Sequence, residues 1–205
     1  MKQETGNNSF FKKDNVSVQL MLDGHNSSFI LPSIPKGAFA EACILTEKVT
    51  LIPSDIFSEE LCSEYILKSG ISIDIGETIV LGENEGITAV MAIKQDIIKP
   101  LMEKYEGNVF FSTPLLPRAI ERKFNIYAIV RNNVVFLKAY DNWKLLRAEA
   151  VRIHSKEDAS YFIVKYMDIL FKEQKCYLGI ECDKALREEF RNLSGKIKFF
   201  NIPRQ

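Results

Sequence analysis

The sequence has no surplus of charge of either sign. Its 205 residues contain 27 Lys and Arg against 27 Asp and Glu, so the formal net charge at pH 7 is zero. Proteins that grip the nucleic-acid backbone concentrate basic side chains, because neutralising phosphates supplies most of the non-specific affinity. We therefore expect no nucleic-acid partner. Two local basic clusters are interpreted as solvated helix faces: Arg118, Arg122 and Lys123, then Lys184, Arg187, Arg191, Lys196 and Lys198.

Long apolar runs are also missing. The longest, such as 126–130 and 134–137, fall far short of the roughly 18 residues that cross a bilayer, so we expect no membrane insertion. The first residues are polar and contain no apolar stretch of the secretory type, which predicts a cytoplasmic protein. We interpret residues 1–15 as a flexible N-terminal segment.

Cysteine and histidine are few and scattered. The chain has 4 Cys, without a Cys-x-x-Cys pair, and 2 His, so it lacks the ligand spacing of a structural zinc site and we expect no metal. Free cysteine is among the most buried residue types, which favours reduced packing residues. The residues concerned are Cys43, Cys62, Cys176 and Cys182. A disulfide between Cys176 and Cys182 is the alternative.

The sequence does contain enough apolar residues for a core, since 46% of it is hydrophobic. From residue 124 the pattern is regular: alternating apolar residues and short turn signals predict a meander of three strands, then helix, strand, helix and strand. The predicted elements are strands over 124–131, 134–140 and 143–153, a helix over 155–173, a strand over 177–180, a helix over 183–193 and a strand over 196–201. This order is typical of a ribonuclease H-like mixed sheet, because strands after a helix cross over to lie parallel beside the meander.

The first part of the chain repeats this theme loosely. Its predicted elements are hairpins joining 16–23 to 28–34 and 42–45 to 48–52, a helix over 58–68, a hairpin within 71–93 that turns at 83–86, a helix over 96–105 and a strand over 108–112. We therefore predict a mixed α/β protein of two tandem ribonuclease H-like βββαβα units, with a first half over 16–123 and a second over 124–205. Two such units in tandem are typical of the actin-like ATPase arrangement.

Four short stretches, distributed over most of the chain, add a more specific indication. They are Val16-Ser17-Val18-Gln19-Leu20-Met21-Leu22-Asp23-Gly24-His25 with Phe29, Thr50-Leu51-Ile52-Pro53 with Ile56 and Phe57, Asn125-Ile126-Tyr127, and Asp158-Ala159-Ser160-Tyr161-Phe162. In these stretches the sequence resembles an uncharacterised bacterial family that has an actin-like ATPase fold. Because that family is a domain of unknown function, the resemblance implies a fold and no activity.

The resemblance also implies where a nucleotide would bind. Nucleotide-hydrolysing proteins of this fold place an Asp in the first strand of each half to hold Mg²⁺ through water, and a Gly-rich turn follows. Here Gln19 and Ala128 take the Asp positions, and the second turn, at 131–133, has no glycine. The remnants of a nucleotide site would be Asp23, Gly24 and Gly179. We expect no ATP hydrolysis and no cofactor, with ATP and magnesium as the alternative.

One further segment is similar to the phosphate turn of active relatives. Residues 74–78 read Asp-Ile-Gly-Glu-Thr. The segment follows the first helix and has no counterpart in the second half, so we interpret it as a strand turn in which Gly76 supplies a positive φ. A phosphate-binding role for Asp74 and Gly76 is the alternative.

Catalytic patterns of other classes are missing. Ribonuclease H-like nucleases need a cluster of carboxylates for two metal ions, and the central strands of the second half offer only Glu181. We therefore predict a non-catalytic protein that serves as an interaction or scaffold module, whose partner is another protein or a second copy of the chain. The alternative is a nucleotide-binding or phosphotransfer protein with a remodelled site.

Overall fold

The computed structural model describes residues 17–24, 39–117, 126–141, 144–171, 176–192 and 197–201. The strands within these ranges are β1 (Ser17–Asp23), β2 (Phe39–Leu45), β3 (Val49–Pro53), β4 (Glu77–Asn84), β5 (Ile87–Lys94), β6 (Val109–Ser112), β7 (Ile126–Arg131), β8 (Val134–Asp141), β9 (Lys144–Arg152), β10 (Cys176–Glu181) and β11 (Ile197–Asn201). The helices are α1 (Cys62–Lys68), α2 (Gln95–Lys104), α3 (Lys156–Phe171) and α4 (Lys184–Asn192), with a 3-10 turn at Glu59–Leu61. No helix in the described parts of the chain is long and apolar enough to cross a membrane.

The second part of the chain forms one five-stranded sheet in the order β11-β10-β7-β8-β9. The meander β7-β8-β9 is antiparallel, whereas β10 and β11 lie parallel to β7 after the crossovers through α3 and α4. The predicted order of elements is therefore confirmed. Asn132 and Asn133, with φ of 46° and 60°, form the predicted two-residue turn, since asparagine tolerates the left-handed region that such hairpins require.

The first part divides its strands between two sheets. One is parallel, in the order β1-β2-β6, and the other is antiparallel, in the order β3-β5-β4. The predicted hairpin between 42–45 and 48–52 is therefore wrong, because β2 pairs with β1 and β6 while β3 pairs with β5. Thr46 and Glu47 lack the positive φ of a tight hairpin and carry the chain from one sheet to the other. Strand β1 pairs with β2 in parallel. The strand predicted to form a hairpin with β1, over 28–34, lies outside the described residues.

Several predicted boundaries agree with the structure. Gly70 ends α1 with φ of 77°, and β4 turns into β5 at Glu85 and Gly86. The helix predicted to start at 155 is capped there, since the Ser155 Oγ accepts a hydrogen bond from the Asp158 N–H at 3.1 Å. The predicted helix over 58–68 begins with the 3-10 turn, and its α-helical part starts only at Cys62.

The central strands of the five-stranded sheet, β7 and β8, are buried on both faces. Alternate residues of β8 point to opposite sides: Val135 and Leu137 pack against α3 and α4, while Val134 and Phe136 face the first part of the chain. The core on that second side is shared, because side chains of β1, β2, β5 and α2 contribute to it together with β7 and β8. A parallel or mixed sheet that is covered on both faces has nearly continuous apolar strands, as β8 does.

The antiparallel sheet lies between that shared core and α1. In β5, Met91 and Ile93 enter the shared core, whereas Val90 packs with Cys62 and Ile66 of α1. At its outer edge β4 comes very close to β6: a Cβ built on Gly82 would lie 2.4 Å from the Phe111 carbonyl oxygen. Only glycine permits this approach of two strands from different sheets.

Candidate functional site

The Asp-x-Gly segment before β4 is a turn held by Lys48. The Lys48 Nζ lies 2.7 Å from Asp74 Oδ2 and 2.8 Å from Glu77 Oε2. The Asp74 N–H donates to the same Glu77 carboxylate at 2.7 Å, and the Glu77 N–H donates to the Asp74 carbonyl at 3.1 Å. Gly76 has φ of 84°, as expected for a turn glycine. Both carboxylates therefore form ion pairs with the ammonium group of Lys48.

The ion pairs shift the pKa values at this turn. The hydrogen bond from Lys48 lowers the pKa of the Asp74 carboxyl below its ordinary value. Burial alone lowers the pKa of Lys48, but the hydrogen bonds to Asp74 and Glu77 outweigh it and leave the pKa raised. Lys48 and Asp74 are therefore charged at neutral pH and stabilise each other.

Replacing Lys48 by methionine is expected to lower the free energy of unfolding by about 1 to 3 kcal/mol, because the Glu77 side chain, only 8% exposed, loses its charged partner. Urea denaturation followed by circular dichroism measures the change. Lys68→Met is the matched control, since its exposed pair with Glu64 on α1 contributes about 0.5 kcal/mol or less. Equal effects of the two substitutions would contradict a special role for the Lys48 cluster.

Asp23 and Gly24 lie at the end of β1, beside the crossover that leads to Lys48. The Gly24 N–H donates to the Leu45 carbonyl at 3.1 Å, and a Cβ on Gly24 would lie 2.7 Å from the Thr46 Cβ. The Lys48 N–H in turn donates to Thr46 Oγ1 at 3.1 Å. The crossover at 46–48 thus contacts both predicted glycine segments, through Thr46 and through Lys48.

The remaining predicted positions lie in the five-stranded sheet. Gly179 of β10 is paired with Tyr127 of β7, and Ala128 is fully buried against the helices. At the ends of these strands Arg131 forms an ion pair with Glu181. Burial, followed by the nearby Glu181 charge, raises the pKa of Tyr127 to about 12, so this phenol stays protonated at neutral pH.

The described cysteine thiols are packing groups, as predicted. Cys43, Cys62 and Cys182 are free, which excludes the alternative disulfide to Cys182. Burial raises the pKa of each of them, that of Cys43 to about 11, and a protonated thiol is a poor nucleophile and metal ligand. Within the described ranges no three His, Cys, Asp or Glu side chains are grouped so that they could hold a metal ion. His25 lies outside those ranges.

Sequence reasoning missed a buried lysine in β8. Lys138 is 1% exposed on the side of the shared core, and its Nζ donates to the carbonyls of Pro114, at 3.1 Å, and Pro117. The Tyr127 ring centroid is 5.0 Å from the same nitrogen. Burial lowers the pKa of Lys138 to about 7. The signal in the sequence is a single Lys within the apolar run from Val134 to Tyr140.

This architecture has a counterpart among solved structures. A crystal structure from Bacteroides thetaiotaomicron, described as a protein with actin-like ATPase fold and unknown function, matches with a TM-score of 0.65. The match covers 79% of this chain and 68% of that chain at 16% sequence identity. The chain has an actin-like ATPase fold. At this identity the likeness establishes the fold alone, and it bears out the fold that the resemblance implied.

A second solved structure resembles this chain more distantly. It is the cytoplasmic domain of EpsL, an inner membrane component of the type II secretion system of Vibrio cholerae, with 9% identity and a TM-score of 0.43 over 82% of this chain and 69% of that chain. That score is too low to support a conclusion. The sequence matches no protein-family model and no curated protein.

Proposed function

We propose that this chain is a non-catalytic protein of the actin-like fold that acts by binding another protein. The observation that carries the proposal is the closed turn at 74–77. A phosphate turn offers backbone N–H groups and a carboxylate-held Mg²⁺ to the nucleotide. Here the Asp74 N–H is bound to Glu77, and both carboxylates are bound to Lys48.

The other positions also do not fit ATP with magnesium. The Gly24 N–H is already bound to the Leu45 carbonyl, and Thr46 fills the space beside this glycine. In the second half Ala128 provides no carboxylate and is buried against the helices. The Asn132 and Asn133 side chains occupy the turn in which active proteins have glycine. These contacts argue against nucleotide hydrolysis at these positions.

Calorimetric titration with ATP and Mg²⁺ tests the nucleotide part of the proposal. We expect no saturable heat for the unmodified chain, and the same flat titration for Asp74→Ala. Micromolar binding that Asp74→Ala abolishes would overturn the proposal in favour of a remodelled nucleotide site. Phosphate release from ATP above the buffer rate would overturn it as well.

The charged edge strand β9 favours a different protein over a second copy as the partner. Strand β9 is an edge of the five-stranded sheet and carries several charged side chains. Natural proteins use such charges to prevent edge strands from pairing with one another. The charged residues of β9 are Lys144, Arg147, Glu149 and Arg152. Light scattering after size exclusion should therefore show a monomer, and a stable dimer would contradict this part of the proposal.

A further inference from the structure

We propose that the groove between β4 and β6 is the docking site for a short segment of a partner protein, one that presents apolar side chains flanked by Lys or Arg. The inference rests on the proposed function, because it specifies the surface and the chemistry of that partner. Three properties of the groove support it. Its walls include aromatic rings, neighbouring contacts hold these rings in place, and the charged residue of its lining is acidic.

The groove has a volume of about 520 Å³ and runs beside the close approach of Gly82 to Phe111. Its walls are mostly apolar and come from β4, β6 and the segment after β3. The apolar lining residues are Phe57, Leu81, Val109, Phe110 and Phe111. Exposed aromatic rings in a concave surface are the usual anchoring points of protein interfaces, since they bury a large area at little cost in side-chain entropy.

The walls are supported by neighbouring contacts. The Phe57 ring packs against Tyr65 with centroids 6.0 Å apart, and Phe110 packs against Phe39 at 5.9 Å. Yet Phe110 remains 55% exposed. When a partner covers such a large exposed apolar group next to a concavity, the burial of its surface is expected to favour binding.

The polar groups of the groove argue against a small polar ligand. The hydroxyls of Ser54 and Thr88 lie 2.9 Å apart and hydrogen-bond to each other. Sites for small molecules combine an apolar lining with several polar groups that converge on the ligand. Among the described lining residues of this groove the charged one is Glu83, and its side chain is exposed to solvent.

The charge of the lining itself favours a basic partner. Among the described lining residues the charged one is Glu83, and along the sequence the lining stretches are flanked within three residues by acidic side chains and by no Lys or Arg. The acidic residues in the same stretches are Asp55, Glu59, Glu60, Glu83, Glu85 and Glu106. Complementary charge suppresses wrong partners and speeds association, so the segment that fits is basic as well as apolar.

A pair of synthetic peptides tests this inference. The probe is a 12-residue peptide of alternating Leu and Lys, and its control replaces every Lys by Glu. We expect only the Leu/Lys peptide to bind, with NMR shifts concentrated in the amides of 81–83 and 109–111. Phe110→Ala and Glu83→Lys should each weaken binding about tenfold, which corresponds to about 1.4 kcal/mol. Binding should also weaken with added salt.

The control variants lie on α3, away from the groove. Tyr161→Ala removes an aromatic side chain that is 58% exposed, and Glu157→Lys reverses an exposed charge, so both should leave the affinity unchanged. All four positions are exposed, and unchanged urea midpoints would establish that the variants fold.

Four results would overturn the inference: no binding, equal binding of the Leu/Glu peptide, NMR shifts elsewhere, or a groove filled by a second copy of the chain. None of these four results would be evidence for nucleotide hydrolysis. Conversely, ATP turnover would contradict the proposed function and leave the peptide result intact. The two proposals therefore fail separately.

Discussion

Replacing Lys138 by methionine should lower the slope of stability against pH by about 1.4 kcal/mol per pH unit between about pH 7 and pH 10. In the folded protein burial lowers the pKa of this amine to about 7, whereas an unfolded lysine titrates near pH 10.4. Between these values the unfolded chain holds one more proton, so stability increases with pH. Below pH 7 both states are protonated and the full cost of the buried charge remains.

Urea unfolding at pH 6, 7, 8 and 9 measures this slope in the parent and in Lys138→Met. The comparison rests on the slope because the substitution also removes the donor of the Pro114 and Pro117 carbonyls, at a cost of about 1 to 3 kcal/mol for each. Lys99→Met, at an exposed position on α2, should leave the slope unchanged. Parallel slopes for the parent and Lys138→Met would show that Lys138 keeps its proton in the folded state.

Truncating Phe136 to alanine should lower the free energy of unfolding by about 3 to 5 kcal/mol. This side chain is fully buried in the core that the five-stranded sheet shares with the first part of the chain. The loss of packing around Phe136 should therefore destabilise both the first and the second part of the chain. We expect hydrogen exchange to speed up in β5 as well as in β7, although Phe136 belongs to β8.

Leu137→Ala is the matched comparison. Leu137 is the next residue of β8 and packs on the opposite face, against the helices of the second part. Its truncation should lower stability by about 2 to 5 kcal/mol. At equal loss of stability, local exchange in β5 should respond more to Phe136→Ala. Equal responses would contradict a core that couples the two parts through one face.

The second part of the fold could be predicted because its signals are local. The Asn132-Asn133 turn joins neighbouring strands, and the Ser155 cap marks the helix that follows the meander. In the first part, apart from the hairpin of β4 and β5, the pairing is not local: Val49 of β3 pairs with Met91 of β5, about forty residues later. An apolar pattern identifies such a strand without identifying its neighbour, which is why the predicted hairpin at 42–52 was wrong.

The candidate site shows the same limit. The sequence indicates a turn at Asp74 and Gly76, but the lysine that closes it comes 26 residues earlier and belongs to no motif. The groove between β4 and β6 depends on the approach of Gly82 to Phe111, which lie in different sheets. Lys138 could have been noticed as a charge in an apolar strand, but its carbonyl partners follow from the tertiary structure alone.

The antiparallel sheet with α1 has the layout of an insertion. Its chain enters at Lys48 and leaves after Lys94, and the two ends are adjacent, since the Ala92 N–H donates to the Lys48 carbonyl at 3.0 Å. The host strands β2 and β6 pair directly with each other. Domain insertion is tolerated where the two ends of the inserted segment lie close together. Changes in α1 therefore act on the outer face of this sheet, whereas changes at Met91 and Ile93 of β5 reach the core shared with the host strands.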